Sequence, residues 1–241
     1  MDIDRDGREE VLLRSATLYA VLSPHQGGRI IYLFTLTAKG GILVIGNPSD
    51  DWNLQQELND YMQHPPNHPG ALAEKGYERD AYAVAASEVS AGVTMTNVQA
   101  GSNLFGTCKN VRILPQSQHI AICYRLPNTL KSLDTIICFS PDYYRLLREG
   151  PAQLRPVANQ RIRGFAFDET TVWVARSGDD QIRWVEPEQA RVGHGMNVQI
   201  RFEAVHAHLL IGCGTIDDSI CSPFLNGRGC IFDNQMLDVS G

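Results

Sequence analysis

The stretch LYAVLSPHQGGRIIYLF, Leu18–Phe34, decides the fold class. Leu18-Tyr19-Ala20-Val21-Leu22 and Arg29-Ile30-Ile31-Tyr32-Leu33-Phe34 are two short apolar runs rich in β-branched and aromatic residues. Ser23-Pro24 and Gly27-Gly28 separate them with turn chemistry. Runs of this length with such punctuation read as paired strands. Val11-Leu12-Leu13 precedes them, and Gly41-Ile42-Leu43-Val44-Ile45 follows.

The same rhythm continues. Strands are expected over 82–90, 93–97, 109–114, 119–126 and 133–140, and again over 164–168, 171–176, 181–185, 198–204 and 208–213. The segment 119–126 alternates cleanly. Ile120, Ile122 and Tyr124 share one face, and His119, Ala121 and Cys123 the other. Gly178-Asp179-Asp180 reads as a hairpin turn. Helix has little room: a short one over 54–62, and a turn over 143–149. These readings predict an all-β fold, a large antiparallel β-sandwich with at most one or two short helices.

The chain has 241 residues, 43% apolar and 20% charged, enough for a large core without disulfides. A sandwich of this size is routinely one domain, so 1–241 is read as a single β-sandwich domain, with the connector 151–163 a crossover inside it. Met1 followed at once by an acidic loop reads as the start of a domain excised from a longer chain.

The net charge of −6 argues against nucleic acid as a partner, since phosphate binding needs clustered Lys and Arg. No apolar run approaches the roughly 18 residues needed to cross a membrane. Six cysteines, with no CxxC pair, sit mostly in apolar runs. They are expected to be buried free thiols of a reducing compartment, not zinc ligands. With no basic-then-apolar leader, the expected location is cytoplasmic. There is no GxSxG elbow, Walker loop, HExxH or dinucleotide GxGxxG.

Four clusters are chemical candidates. The first is the loop DIDRDGREE, with Asp2, Asp4, Asp6, Arg8 and Glu10 as the candidate metal site. Alternating aspartates converge on one hard cation, Gly7 permits the tight turn, and a carboxylate at position nine closes the shell, so calcium is the expected cofactor. An EF-hand closes at position twelve, which here is Leu13. The competing reading is a solvated acidic terminus.

The second cluster is the long loop 47–78. It holds Trp52, Glu57, Asp60, Tyr61, His64 and His68 around His64-Pro65-Pro66-Asn67-His68-Pro69. The prolines forbid the helix that would aim both histidines at one metal. Hydroxyl-binding polar groups beside an aromatic ring suit a sugar. Trp52, Tyr61, His64 and His68 are therefore the candidate carbohydrate-binding residues, with a structural loop as the alternative. The third is the corner Asp142, Arg145, Arg148 and Glu149, read as internal salt bridging. The fourth is Trp173, Trp184, Glu186 and His194, read as core packing more than a binding platform.

Leu18-x-x-Val21-x-x-Pro24-x-x-Gly27-Gly28-Arg29-Ile30 resembles the opening of galactose-mutarotase-like β-supersandwich domains. The acidic loop running into Glu10-Val11-Leu12-Leu13 resembles the C-terminal sandwich domains of α-glucan-acting enzymes, including family-57 glycoside hydrolases. The resemblance implies a supersandwich and a carbohydrate context, with an α-glucan and a catalytic domain of the same parent chain as partners. Aldose epimerases of this fold need a His acid and a Glu base across the sugar ring. His64, His68 and His119 are the candidate acids, Glu186 and Glu203 the candidate bases. None of them sits in an epimerase motif. The reading that follows is a non-catalytic accessory or carbohydrate-associated domain. A stand-alone epimerase or mutarotase, and a purely structural domain, are its rivals.

Overall fold

The computed structural model describes residues 1–3, 7–46, 70–86, 91–139, 155–167, 170–185, 197–216, 231–232 and 235–236. The first half of the chain forms β1 (Val11–Arg14), β2 (Leu18–Ser23), β3 (Arg29–Thr37), β4 (Gly40–Ile45), β5 (Ala71–Glu74), β6 (Tyr82–Ala86), β7 (Gly92–Asn97), β8 (Cys108–Ile113) and β9 (His119–Arg125). The second half forms β10 (Leu133–Cys138), β11 (Arg155–Ala158), β12 (Ile162–Phe167), β13 (Thr170–Arg176), β14 (Ile182–Val185), β15 (Asn197–Phe202), β16 (His206–Cys213), β17 (Ile231–Phe232) and β18 (Gln235–Met236). No helix occurs among the described residues. The expected helix over 54–62 and turn over 143–149 lie outside them.

Two eight-stranded antiparallel sheets result. The first runs β1-β2-β3-β5-β10-β15-β14, with β4 also on β3; the second runs β11-β12-β13-β16-β9-β8-β7-β6. A single apolar cluster draws on both. Leu22, Ile30, Leu33, Ile137 and Ile200 come from the first sheet, and Val111, Ile120, Ile122, Val174 and Leu209 from the second. The rings of Tyr124 on β9 and Phe202 on β15 meet at 5.0 Å across that core. The fold is therefore a large β-sandwich, as the strand rhythm predicts.

β9 shows how the alternation works. Ile120, Ile122 and Tyr124 enter the inter-sheet core. Ala121 and Cys123 point the other way, into a second cluster with Trp173, Ala175 and Leu210. Both faces of this central strand are buried, so the residues between the core positions are small or apolar as well.

The turn between β2 and β3 is built by its glycines. Gly27 and Gly28 take φ of +77° and +56°, a region that side chains with a Cβ rarely adopt. A Cβ on Gly28 would meet the Tyr82 ring at 3.0 Å. The Gly27 N–H donates to Asp80 O, and the Tyr82 N–H donates to Pro24 O. The turn is thus tied to the chain that leads into β6.

Four expectations need correction. Gly178-Asp179-Asp180 is not a hairpin turn. β13 pairs with β12 and β16, while β14 pairs with β15 in the other sheet, so the segment crosses between sheets. Part of the expected loop 47–78 is a strand: β5, inserted between β3 and β10. The connector 151–163 likewise contributes β11 to the edge of the second sheet. Finally, Cys108, Cys138 and Cys213 are free thiols, but Cys123 is disulfide-bonded. An apolar neighbourhood buries a half-cystine as readily as a thiol, so burial alone does not separate the two.

Candidate functional site

The N-terminal loop closes on itself just before β1. The Ile3 N–H donates to Glu10 Oε2 at 2.7 Å, and the Gly7 N–H donates to Asp2 Oδ2 at 3.1 Å. The Glu10 N–H donates to Met1 O at 3.0 Å. Gly7 has φ of +85°, the turn that a backbone folding back on its own carboxylates requires. Glu10 is 5% exposed, and its Oε1 is buried without a hydrogen-bond partner. Asp2 and Arg8 are exposed. Asp4 and Asp6 lie outside the described residues. Among those described, no three metal-binding side chains gather.

The remaining sugar and acid–base candidates divide in two. Trp52, Tyr61, His64, His68, Glu186 and the corner of Asp142, Arg145, Arg148 and Glu149 lie outside the described residues, as do Glu57, Asp60 and His194. His119 and Glu203 are described and are not brought together as acid and base. His119 is buried on β9, its ring 5.3 Å from that of Trp173. Glu203 follows β15 in the other sheet, exposed and paired with Arg183 at 2.5 Å.

Both described tryptophans are packing residues. Trp173 is fully buried and donates Nε1–H to Gly214 O at 3.2 Å. Trp184 is half-buried and donates Nε1–H to Gln160 O. The guanidinium groups of Arg163 and Arg176 stand 5.6 and 5.7 Å from its ring centre. Those cations occupy the π surface a sugar would stack on.

The interior holds a polar cluster that the sequence did not announce. Lys109 on β8 and Glu74 on β5 are fully buried and pair across the sheets at 2.5 Å. Lys109 Nζ also donates to Gly27 O, Gly28 O and Leu72 O at 2.6, 3.2 and 3.1 Å. The Tyr124 O–H donates to Glu74 Oε1 at 2.8 Å. Burial raises the Glu74 carboxyl above the usual carboxylate range and lowers the Lys109 ammonium, with each partner's charge pulling the other back. Next to this cluster, Asp80 accepts from Asn97 Nδ2 at 2.7 Å and from the Ser102 hydroxyl. Every acceptor named on Lys109 is a backbone or carboxylate oxygen of the fold itself. The cluster binds the two sheets and the Gly27-Gly28 turn together, and the Lys109 and Glu74 side chains are both fully buried.

Gly27 and Gly28, read in the sequence as a turn, supply two of the carbonyls that hold the buried ammonium. Leu72 supplies a third. It takes φ of +63° at a bulge, where pairing with β10 passes from Ala73 to Ala71. The bulge turns its carbonyl to Lys109.

Residues 2–39 match the family described as α-amylase/4-α-glucanotransferase, C-terminal. No curated protein matches the chain in sequence. Among solved structures, the periplasmic domain of Thermotoga maritima YidC aligns with 90% of this chain and 88% of its own length, at 10% identity and a TM-score of 0.48. The 4-α-glucanotransferase from Thermococcus litoralis aligns with 90% of this chain and 39% of its own length, at 12% identity and a TM-score of 0.49. The matched segment 2–39 contains the acidic loop, β1, β2, the Gly27-Gly28-Arg29 turn and β3. Through that segment the chain is similar to the C-terminal domain of α-amylases and 4-α-glucanotransferases, the relationship its opening residues suggest.

Proposed function

We propose that this chain is a non-catalytic accessory domain of an α-glucan-acting enzyme, working beside a catalytic domain of the same parent chain. The observation that carries it is the match of residues 2–39 to the C-terminal domain of α-amylase/4-α-glucanotransferase. Of the acid–base candidates, the two that are described, His119 on β9 and Glu203 directly after β15, belong to different sheets. An α-glucan is the proposed ligand, with Trp52, Tyr61, His64 and His68 as its binding residues.

Affinity electrophoresis of the chain in gels cast with starch or glycogen tests the binding claim. The expected result is retardation that Trp52→Ala weakens. Mobility unchanged by either glucan removes that claim. Polarimetry separates this reading from the epimerase reading. The mutarotation rate of glucose and galactose should be the same with and without the protein, and acceleration would overturn the non-catalytic assignment.

A further inference from the structure

We propose that the outer face of the first sheet carries a second α-glucan site, a stacking platform made by Tyr19, Tyr32 and Phe34. The inference rests on the glucan reading above and adds a surface to it.

Strand alternation creates the face. Leu18, Ala20 and Leu22 of β2 and Ile30 and Leu33 of β3 enter the core, which turns Tyr19, Val21, Tyr32 and Phe34 outward. Register then gathers the rings. Tyr19 stands opposite Phe34, and Val21 opposite Tyr32. The Tyr19 and Phe34 rings lie 6.1 Å apart, and those of Tyr32 and Phe34 lie 6.2 Å apart with 25° between their planes. All three residues are half-buried, while the shorter Val21 is only 1% exposed. What this part of the face offers to solution is therefore ring surface.

The neighbouring strands extend the row. Arg14 on β1 is exposed opposite Tyr19, and Leu43 on β4 is half-buried opposite Phe34. Arg14, Tyr19, Phe34 and Leu43 thus cross four adjacent strands, about 14 Å at the usual strand spacing. That is longer than one pyranose ring. A pyranose has a C–H face that packs on aromatic rings, and hydroxyls around its edge that need donors and acceptors. The Arg14 guanidinium and the two phenol groups supply both kinds. Rings already packed on one another lose little freedom when a ligand arrives. The whole row up to Phe34 falls within residues 2–39, the segment similar to the C-terminal domain of α-amylases and 4-α-glucanotransferases. That placement favours a glucan over a protein as the occupant.

Nitration by tetranitromethane, read by peptide mass spectrometry, tests the platform on the unaltered chain. Saturating maltoheptaose should slow nitration of Tyr19 and Tyr32 severalfold and leave Tyr77, in the turn after β5, unchanged. In starch gels, Tyr19→Ala with Phe34→Ala should weaken affinity roughly tenfold. Arg14→Ala, at an exposed position, should fold regardless and weaken it severalfold. Nitration rates that glucan leaves unchanged assign the face to protein contact and overturn the platform. Retardation that Trp52→Ala abolishes, but the ring and Arg14 variants leave intact, also overturns it while the glucan reading stands. A parent chain that no glucan retards removes both.

Discussion

Lys109 shows what one residue can hide. Lysines and glutamates are almost never fully buried unless paired, so a lysine in Cys108-Lys109-Asn110 reads as the outward residue of a strand. In the fold it has no exposure at all. Its partner Glu74 falls in a stretch that reads as loop, so the sequence held no cue to the pair. Removing one member of such a pair leaves the other charge stranded. Lys109→Met should therefore cost about 3–5 kcal/mol, measured as a fall in the urea midpoint. Adding Glu74→Met should recover most of that loss, because an apolar replacement of both partners is often neutral. A single variant as stable as the parent would contradict the role assigned to Lys109. The N-terminal loop is the opposite case. Its carboxylate spacing was plain in the residues, and the structure added the buried Glu10 oxygen that spacing cannot reveal.

At the level of strands, most of the sandwich was legible, because β-branched runs and turn residues report local geometry directly. β2, β3, β9 and β13 fall where their apolar runs lie. β5 was not legible. Ala71-Leu72-Ala73-Glu74 has no strand preference of its own and is extended only because β3 and β10 bond it from both sides. The Gly178-Asp179-Asp180 segment misled for a related reason, since turn residues mark a reversal but not the sheet that receives the chain. The β13–β16 pair offers a test of packing between strands. Trp173 lies across Gly212, its register partner, where an added Cβ would stand 2.2 Å from the indole. Gly212→Ala must displace a fully buried ring. A loss of about 1–3 kcal/mol is expected from such overpacking, read by denaturant unfolding together with a changed Trp fluorescence. An unperturbed spectrum and stability would refute the contact.

The whole molecule is interleaved. The first sheet takes β1 to β5 from the first third of the chain and β10, β14 and β15 from later. The second places β16 between β13 and β9. Neither sheet belongs to one half of the sequence, and the core cluster spans both. Unfolding by urea should consequently be one cooperative transition, with far-UV dichroism and tryptophan fluorescence coincident. Two separated transitions would show that the sheets are independent units. The central place of β16 also bears on synthesis. While the chain is made from its N-terminus, β9 waits without its β16 neighbour and β10 without β15. Two long sheet edges stay open, their backbone donors and acceptors free to pair with another nascent chain, until residues 197–213 leave the ribosome.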